Sequence, residues 1–179
     1  MKSSSIIFAS ALFLATGGAF AQGAASSAPG PTDAQIAHIV VTANQVDIDG
    51  GKVAAKQGKG KAIRAFGKQM VTDHTGVNKQ AVALVTKLKV TPEDNPTSQS
   101  LKQGGIENVK SLKGLKGAAF DKAYIDHEIA YHEQVLDAID KVLIPNAKNA
   151  ELKDLIVKVR PAFVGHLEHA KTIQASLGK

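Results

Sequence analysis

Apolar residues recur at every third or fourth position along four long stretches of this chain, the spacing that lines one face of an α-helix. Glycine or proline residues separate these stretches. The pattern predicts four long helices, over residues 32–57, 61–89, 118–144 and 149–177. Because no stretch shows the alternation of apolar and polar residues that is typical of a half-buried strand, the sequence predicts an all-α protein.

The predicted helix ends carry recognisable signals. Residues 32–35, Thr-Asp-Ala-Gln, have the T-x-x-Q form of a capping box at the start of the first helix. Pro92 and Pro96 end the second helix, since proline has no amide and restrains the residue before it. A short helix is predicted over residues 98–113, within the long connection between the second and third helices, although its glycine pair disfavours it. Four long helices with one long connection predict an antiparallel four-helix bundle.

Each predicted apolar face is interrupted near its middle by at least one ionisable residue. These residues are Asp47 on the first helix, His74 on the second, Glu128 and His132 on the third, and His166 on the fourth. Burying a polar or charged group alone costs several kcal/mol, so such groups occur inside proteins mainly when they are paired or bound to a metal. The set therefore predicts a metal or cofactor site in the bundle interior, and the alternative is a buried network of hydrogen bonds.

Residue counting along the helices predicts how these side chains are placed. Measured from the first turn, Asp47 and His74 differ in depth by three residues, about 4.5 Å at 1.5 Å per residue. Measured from the last turn, His166 is expected to lie level with Glu128, with His132 one helical turn away. The five side chains can therefore form one cluster.

The other polar residues near this cluster are expected to lie outside it. His127 is five residues from His132, about 140° around the helix, so the two cannot point to one site. His169 lies about 60° from the apolar face of its helix and is a candidate hydrogen-bond partner for His166. Asp73 shows no pattern that predicts a role.

The N-terminal residues predict export. Residues 1–21 contain a lysine, an apolar run from Ile6 to Ala15 and an A-x-A cleavage site at their end, the order found in a secretory signal peptide. The apolar run is shorter than the roughly 20 residues of a membrane-spanning helix. We therefore expect a cleaved signal peptide at 1–21, a flexible linker at 22–31 and one bundle domain at 32–179. The expected location is the periplasm or the outer membrane surface, with no transmembrane segment after cleavage.

Composition narrows the chemistry. The chain has no cysteine, so disulfides, thiolate metal sites and iron–sulfur clusters are excluded, and any metal must be held by His, Asp or Glu. The formal net charge is +6, and loss of Lys2 with the signal peptide would leave one charge fewer, a balance that suits an anionic surface or another envelope component as partner. Lysines are scattered and Trp is absent, so no nucleic-acid-binding surface is expected.

Three segments together resemble a known family. They are FGKQMVTDHTGVN at residues 66–78, FDKAYIDHEIAYHEQVL at 120–136 and RPAFVGHLEHAK at 160–171. In this order they resemble the bacterial "domain of unknown function 4142" family, over about residues 32–177. The resemblance implies a ferritin-like four-helix bundle, and members are often labelled as exported or outer-membrane proteins.

The resemblance also implies which residues form the site. The characteristic histidines of the family fall on His74, His132 and His166, and the acidic position of its first helix, usually glutamate, falls on Asp47. Ferritin-like di-iron sites use an E-x-x-H pair on two helices, but no Asp or Glu stands three residues before any histidine of this chain. A di-iron enzyme is therefore disfavoured. A histidine-rich set with one or two carboxylates better suits a single Zn²⁺, Cu²⁺, Ni²⁺ or Fe²⁺ ion.

No motif of a nucleotide-binding enzyme, a serine hydrolase or a zinc protease occurs in the sequence, which favours a role other than catalysis. The first hypothesis is an exported helical bundle that binds a transition metal through its interior histidines, in storage, buffering or an envelope stress role. The alternative is a structural, interaction or stress-related module of the cell envelope, in which these histidines form only a buried hydrogen-bond network.

Overall fold

The structure is a computed structural model that describes residues 29–177. Its helices are α1 (Asp33–Gln57), α2 (Lys61–Leu88), α3 (Pro96–Lys113), α4 (Gly117–Ala138), α5 (Ile144–Asn146) and α6 (Ala150–Ser176), with a π-helical turn, Ile139–Leu143, between α4 and α5. No β-strand occurs between residues 29 and 177, and the predicted all-α bundle is confirmed. The predicted signal peptide and most of the predicted linker lie outside the described residues. Within the described part of the chain, none of the helices combines the length and the apolar character that crossing a bilayer requires.

Helices α1 and α2 form an antiparallel pair with a close crossing. The predicted capping box at the start of α1 is confirmed, since Gln35 N donates to Thr32 Oγ1 (3.2 Å) and Thr32 N donates to Gln35 Oε1 (3.1 Å). Where the two helices cross, a Cβ atom on Gly67 would lie 2.7 Å from the carbonyl oxygen of Gly51. Only glycine permits this approach, so the two glycines set the distance between α1 and α2.

Helices α4 and α6 form a second antiparallel pair. Arg160 of α6 holds Asp140 of the π-helical turn in a bidentate ion pair, with both N–O distances 2.7 Å. Toward the other end of the pair, Gln174 Nε2 donates to Asp126 Oδ1 (2.6 Å). The two pairs pack side by side through contacts of α1 with α4 and of α2 with α6.

The direction of α4 requires a crossover connection. Tyr131 donates its hydroxyl to the carbonyl oxygen of Ala43 (3.1 Å), and the ring of Tyr124 lies beside Gly50. Residue numbers therefore rise along α4 as they fall along α1, so α4 is antiparallel to α1 and parallel to α2. The chain must return along the bundle between two parallel helices, as it does in bundles with one long connection.

Helix α3 makes this return. It begins at Pro96, earlier than predicted, behind a capping box in which Ser98 N donates to Asn95 Oδ1 (3.1 Å). Proline fits the first turn of a helix because the amides there have no partner within the helix. Helix α3 packs against α1, with Gly105 against the side chain of Val46.

The third long helix differs from the prediction at its C-terminal end. The helical path does not stop at Ile144 but continues through the π-helical turn and α5 to Asn146. Pro145 has no amide to donate to the carbonyl four residues earlier, and just before it Ile144 N donates to the carbonyl oxygen of Ile139, five residues back. The proline therefore changes the hydrogen-bond spacing without ending the helix.

Two apolar clusters lie on either side of the middle of the bundle. One, toward the start of α1, includes Ile36, Ile139 and Phe163. The other, toward the turn between α1 and α2, includes Ile63 and Phe120. The interior between these clusters is polar, and its residues form the candidate site.

Candidate metal centre

Five ionisable side chains meet between the two apolar clusters. They are the five selected from the sequence: Asp47 from α1, His74 from α2, Glu128 and His132 from α4, and His166 from α6. None of these residues is more than 4% exposed. We call them the polar centre. Because each one lies on the inward face of its helix, the same packing that forms the bundle also brings the polar groups together.

Three histidines form one side of the polar centre. One ring nitrogen from each of His74, His132 and His166 lies within 4.8 Å of the other two. The ring centroids are 5.7, 5.1 and 5.5 Å apart for the three pairs. Nitrogens bound to one tetrahedral zinc ion at about 2.0–2.1 Å are roughly 3.4 Å apart. The nitrogens would therefore need to approach one another by up to about 1.4 Å to bind one ion.

Two of these histidines are held by oxygen acceptors that face one nitrogen of each ring. His74 Nδ1 donates to Asn44 Oδ1 (2.7 Å), and this oxygen can accept because Asn44 Nδ2 donates to the carbonyl oxygen of Val40 (2.7 Å). His132 Nδ1 donates to the backbone carbonyl oxygen of Glu128, one turn earlier in α4 (2.9 Å). An oxygen acceptor requires the N–H form of the nitrogen that faces it. The lone pair of each neutral ring is therefore on Nε2.

The third histidine is held from the edge of the site. His166 Nε2 donates to Asp73 Oδ2 (2.9 Å), so its lone pair is on Nδ1. Within residues 29–177, no hydrogen-bond partner faces His74 Nε2, His132 Nε2 or His166 Nδ1, although all three nitrogens are buried. An imidazole whose N–H is fixed by an oxygen and whose other nitrogen is free is the arrangement that metal-binding histidines adopt.

Two carboxyl groups form the other side of the polar centre. One oxygen each of Asp47 and Glu128 and one ring nitrogen of His132 lie within 4.8 Å of one another. Burial raises the pKa of Glu128 to about 8, and the nearby Tyr124 hydroxyl offsets part of this effect. Burial, and then the neighbouring Glu128 carboxyl, raise the pKa of Asp47 well above its usual range. Without a cation nearby, both groups are therefore largely neutral carboxylic acids at pH 7.

The histidines of the polar centre are also neutral. Burial, and then the neighbouring His132 and His166, lower the pKa of His74 to about 2. Burial lowers the pKa of His132 to about 4, against the opposing effect of its hydrogen bond to the Glu128 carbonyl. Burial also lowers the pKa of His166, and the hydrogen bond to Asp73 opposes it. The three rings can therefore act as neutral nitrogen donors at physiological pH.

One detail of the expected placement is wrong. His166 lies beside His132, with ring centroids 5.5 Å apart, rather than level with Glu128. The helical path from α4 extends to Asn146, which places His132 further from the last turn than the predicted helix end implied. In addition, side chains lean toward the N-terminus of their own helix, so His132 leans away from that turn and His166 leans toward it.

The sequence did not predict the roles of two residues that form hydrogen bonds to the histidines. Asp73 binds His166 although it lies one residue from His74 and off the apolar face of α2. Asn44 is 1% exposed and binds His74; its position three residues before Asp47, on the inward face of α1, was a signal that could have identified it.

The histidines outside the centre have other contacts. The sequence named His169 as a candidate partner of His166, but the two do not form a hydrogen bond. His169 Nδ1 instead faces Gln69 Oε1 (3.1 Å). His127 stacks on Tyr131, with ring centroids 5.6 Å apart. Both residues share helices with members of the polar centre but do not join it.

A groove between α2 and α6 connects the histidine side of the polar centre with the surface. Its volume is about 380 Å³, and it is lined by the buried His74 and His166 and by the exposed Gln80. Asp73, with a side chain 41% exposed, lies along the same groove. The groove therefore brings the surface close to His74 and His166 on the side of Asp73, next to Phe163 of the first apolar cluster.

Comparison with known proteins identifies a family but no characterised relative. The sequence model of a family described as "Domain of unknown function (DUF4142)" matches residues 19–173, a range that contains the whole polar centre. No curated protein and no solved structure matches the chain. The family description gives no reaction and no ligand, so the chemistry has to be inferred from the polar centre.

Proposed function

The chain belongs to the family described as domain of unknown function (DUF4142), and we propose that it is an exported helical bundle that binds one divalent transition-metal ion. The ligands are His74, His132 and His166. The observation that carries this proposal is the set of three buried ring nitrogens without hydrogen-bond partners among the described residues, each on a ring whose other nitrogen is already held. A buried polar atom without a partner costs about 1–3 kcal/mol, and an ion would satisfy all three at once.

The donor set favours Zn²⁺, Cu²⁺, Ni²⁺ or Fe²⁺. Imidazole nitrogen suits these ions, whereas Mg²⁺ and Ca²⁺ prefer oxygen. Three histidines leave at least one coordination position for water or for a carboxylate. Asp47 and Glu128 supply the negative charge that a buried dication requires, because each can release its proton when the ion enters.

The proposed export rests on the sequence of residues 1–21, with their lysine, apolar run and cleavage site. Expression with the native leader should give a periplasmic protein whose first residue is Gln22. Intact-mass measurement of the periplasmic fraction tests this, and a cytoplasmic protein that retains Met1 would contradict it. An envelope component or an anionic surface is the partner expected for a basic exported protein.

Elemental analysis tests the metal site directly. The protein is purified without a histidine tag, and the double variant His132→Ala with His166→Ala is compared with His127→Ala combined with His169→Ala. Each pair removes one histidine from α4 and one from α6, but only the first pair removes proposed ligands. The wild type and the control pair should contain about one ion per chain, and the first pair should contain almost none.

The metal content of the folded variants separates the proposal from its alternative. Folding of each variant is checked by circular dichroism, so that loss of metal is not confused with loss of structure. Equal and substoichiometric metal in all three folded proteins would reject the metal site. The histidines would then form a buried polar network in a non-catalytic envelope module.

A further inference from the structure

A second concave region lies between α1 and α3 and contains no residue of the polar centre. This groove has a volume of about 850 Å³, within the roughly 300–1,000 Å³ that is typical of small-molecule sites. Val46 and Val53 of α1 and Ile106 and Val109 of α3 line it. Ile106 is 54% exposed, so part of this apolar lining faces solvent. The groove therefore offers an apolar surface from two helices to the same ligand.

The length of the groove fits one acyl chain. Its lining on α1 extends from Val41 to Val53, a distance of about 18 Å along the helix. One acyl chain spans half of the hydrocarbon core of a bilayer, or about 15 Å. Gly105 brings α3 into contact with Val46, because a Cβ atom at this glycine would lie 2.7 Å from Val46 Cγ2. The contact holds the two helices together along the groove.

Positive charge is concentrated at one end of the groove. Four exposed lysines line it: Lys52, Lys110 and Lys113 lie toward one end, and Lys102 lies toward the other. Gly105 lies against Val46, and Asn108, three residues later in α3, lies beside Gly50, so α1 and α3 run in the same direction. Lys52 is therefore at the same end as Lys110 and Lys113. Asp49, which pairs with Lys52 (3.1 Å), is the only carboxylate among the lining residues.

We propose that this groove binds a long-chain fatty acid, with the acyl chain along the valines and the carboxylate at Lys52, Lys110 and Lys113. Charge complementarity selects this occupant. Residues 22–28 of this chain contain neither an acidic side chain nor a large apolar one, so they do not match the groove.

Equilibrium dialysis of labelled palmitate against delipidated, metal-free protein tests the proposal. One palmitate should bind per chain. Lys110→Glu combined with Lys113→Glu should weaken binding at least tenfold, and Ile106→Glu should do the same. The controls make matched changes at exposed residues away from the groove: Lys79→Glu with Lys148→Glu, and Val82→Glu. These controls should change binding less than twofold.

A ligand with an alkyl chain of the same length and the opposite charge separates the contribution of the alkyl chain from that of the charged group. Hexadecyltrimethylammonium, kept below its critical micelle concentration, should bind at least tenfold more weakly than palmitate. Absence of palmitate binding, equal binding of both amphiphiles, or an equal effect of the control variants would overturn the proposal. A concentration-dependent dimer that Ile106→Glu dissociates, without palmitate binding, would assign the groove to a second copy. Because the protein is metal-free, none of these results depends on the polar centre.

Discussion

Replacing Glu128 by Gln should change how the stability of the metal-free protein depends on pH. The substitution keeps the shape of the side chain and its place beside Asp47 and His132 but removes the ionisable proton. For each protein we take the free energy of unfolding at pH 6.5 as the reference. From this reference to pH 5, the stability of the variant should change less favourably than that of the wild type. From pH 6.5 to pH 8 it should change more favourably. The opposite signs follow from the direction of the pKa shift at Glu128.

The magnitude follows from the burial of this carboxyl group. Its pKa is about 8 in the folded protein and 4.5 in an ordinary solvated environment. A raised pKa stabilises the folded state fully below pH 4.5, and this contribution is lost as the pH rises through 8. Each pH unit between these values corresponds to about 1.4 kcal/mol. Glu128 therefore adds about 2 kcal/mol to the free energy of unfolding between pH 6.5 and 5, and removes about 2 kcal/mol between pH 6.5 and 8.

The buried histidines act in the opposite direction. Their pKa values fall from 6.5 to about 2 for His74 and about 4 for His132, so their stabilising contribution is full above pH 6.5 and is lost as the pH falls. Each of these two histidines lowers the free energy of unfolding by about 2 kcal/mol as the pH falls from 6.5 to 5. Burial of histidines alone would therefore predict a strong acid sensitivity, but in the wild type Asp47 and Glu128 offset much of it. The Gln variant retains the histidines but lacks the compensation from Glu128.

Urea denaturation in the presence of EDTA at pH 5, 6.5 and 8 measures the effect. The difference in unfolding free energy between wild type and variant should change by about 2 kcal/mol on each side of pH 6.5, with opposite signs. Glu133→Gln, at an exposed position of the same helix, should follow the wild-type profile. Parallel profiles for wild type and Glu128→Gln would refute the assignment of a buried, protonated carboxyl group at this position.

Two further predictions concern the support of the site and of the bundle. Asp73→Asn should weaken zinc affinity about tenfold, because Asp73 fixes the ring of His166. This is the lower end of the usual range for partners of metal-binding histidines, since the Asp73 side chain is 41% exposed. Competition with a chromogenic chelator measures the affinity, and an unchanged affinity would mean that Asp73 does not orient the ligand. Gly67→Ala should lower the free energy of unfolding by about 3 kcal/mol, because its Cβ would lie 2.7 Å from the Gly51 carbonyl oxygen. Gly76→Ala, where a Cβ would meet nothing within 4 Å, should raise it by up to about 1 kcal/mol in the same denaturation assay, and similar effects at both glycines would contradict the close crossing.

Local signals in the sequence predicted most of the fold. The capping box at residues 32–35 and the apolar periodicity act within one or two helical turns, and the structure agrees with them. The continuation through Pro145 was not predictable in this way, because proline is locally unfavourable to a helix. Ile139 and Leu143 are each 4% exposed, and their burial in the bundle stabilises a π-helical turn that the local sequence does not favour.

The candidate site was predictable only in part, for a similar reason. The polar centre comes from residues on the inward faces, which periodicity identifies. The partners that fix the tautomers depend on how neighbouring helices are placed. Asp73 binds His166 of another helix, and Asn44 of α1 binds His74 of α2. Such contacts between residues far apart in the chain require the relative depth of the helices, and the depth predicted for His166 was wrong because the preceding helix is longer and side chains lean along their helices.

The π-helical turn has a consequence for which changes in chain length this protein can accept. Such a turn holds one residue more than the α-helical turn that it replaces, so deletion of one residue within Ile139–Leu143 would leave a regular helix with both flanking parts still facing the same way. A one-residue deletion between Glu128 and Ala138 would instead rotate one part of α4 by about 100° relative to the other. A one-residue deletion should therefore be tolerated within Ile139–Leu143 and disruptive between Glu128 and Ala138.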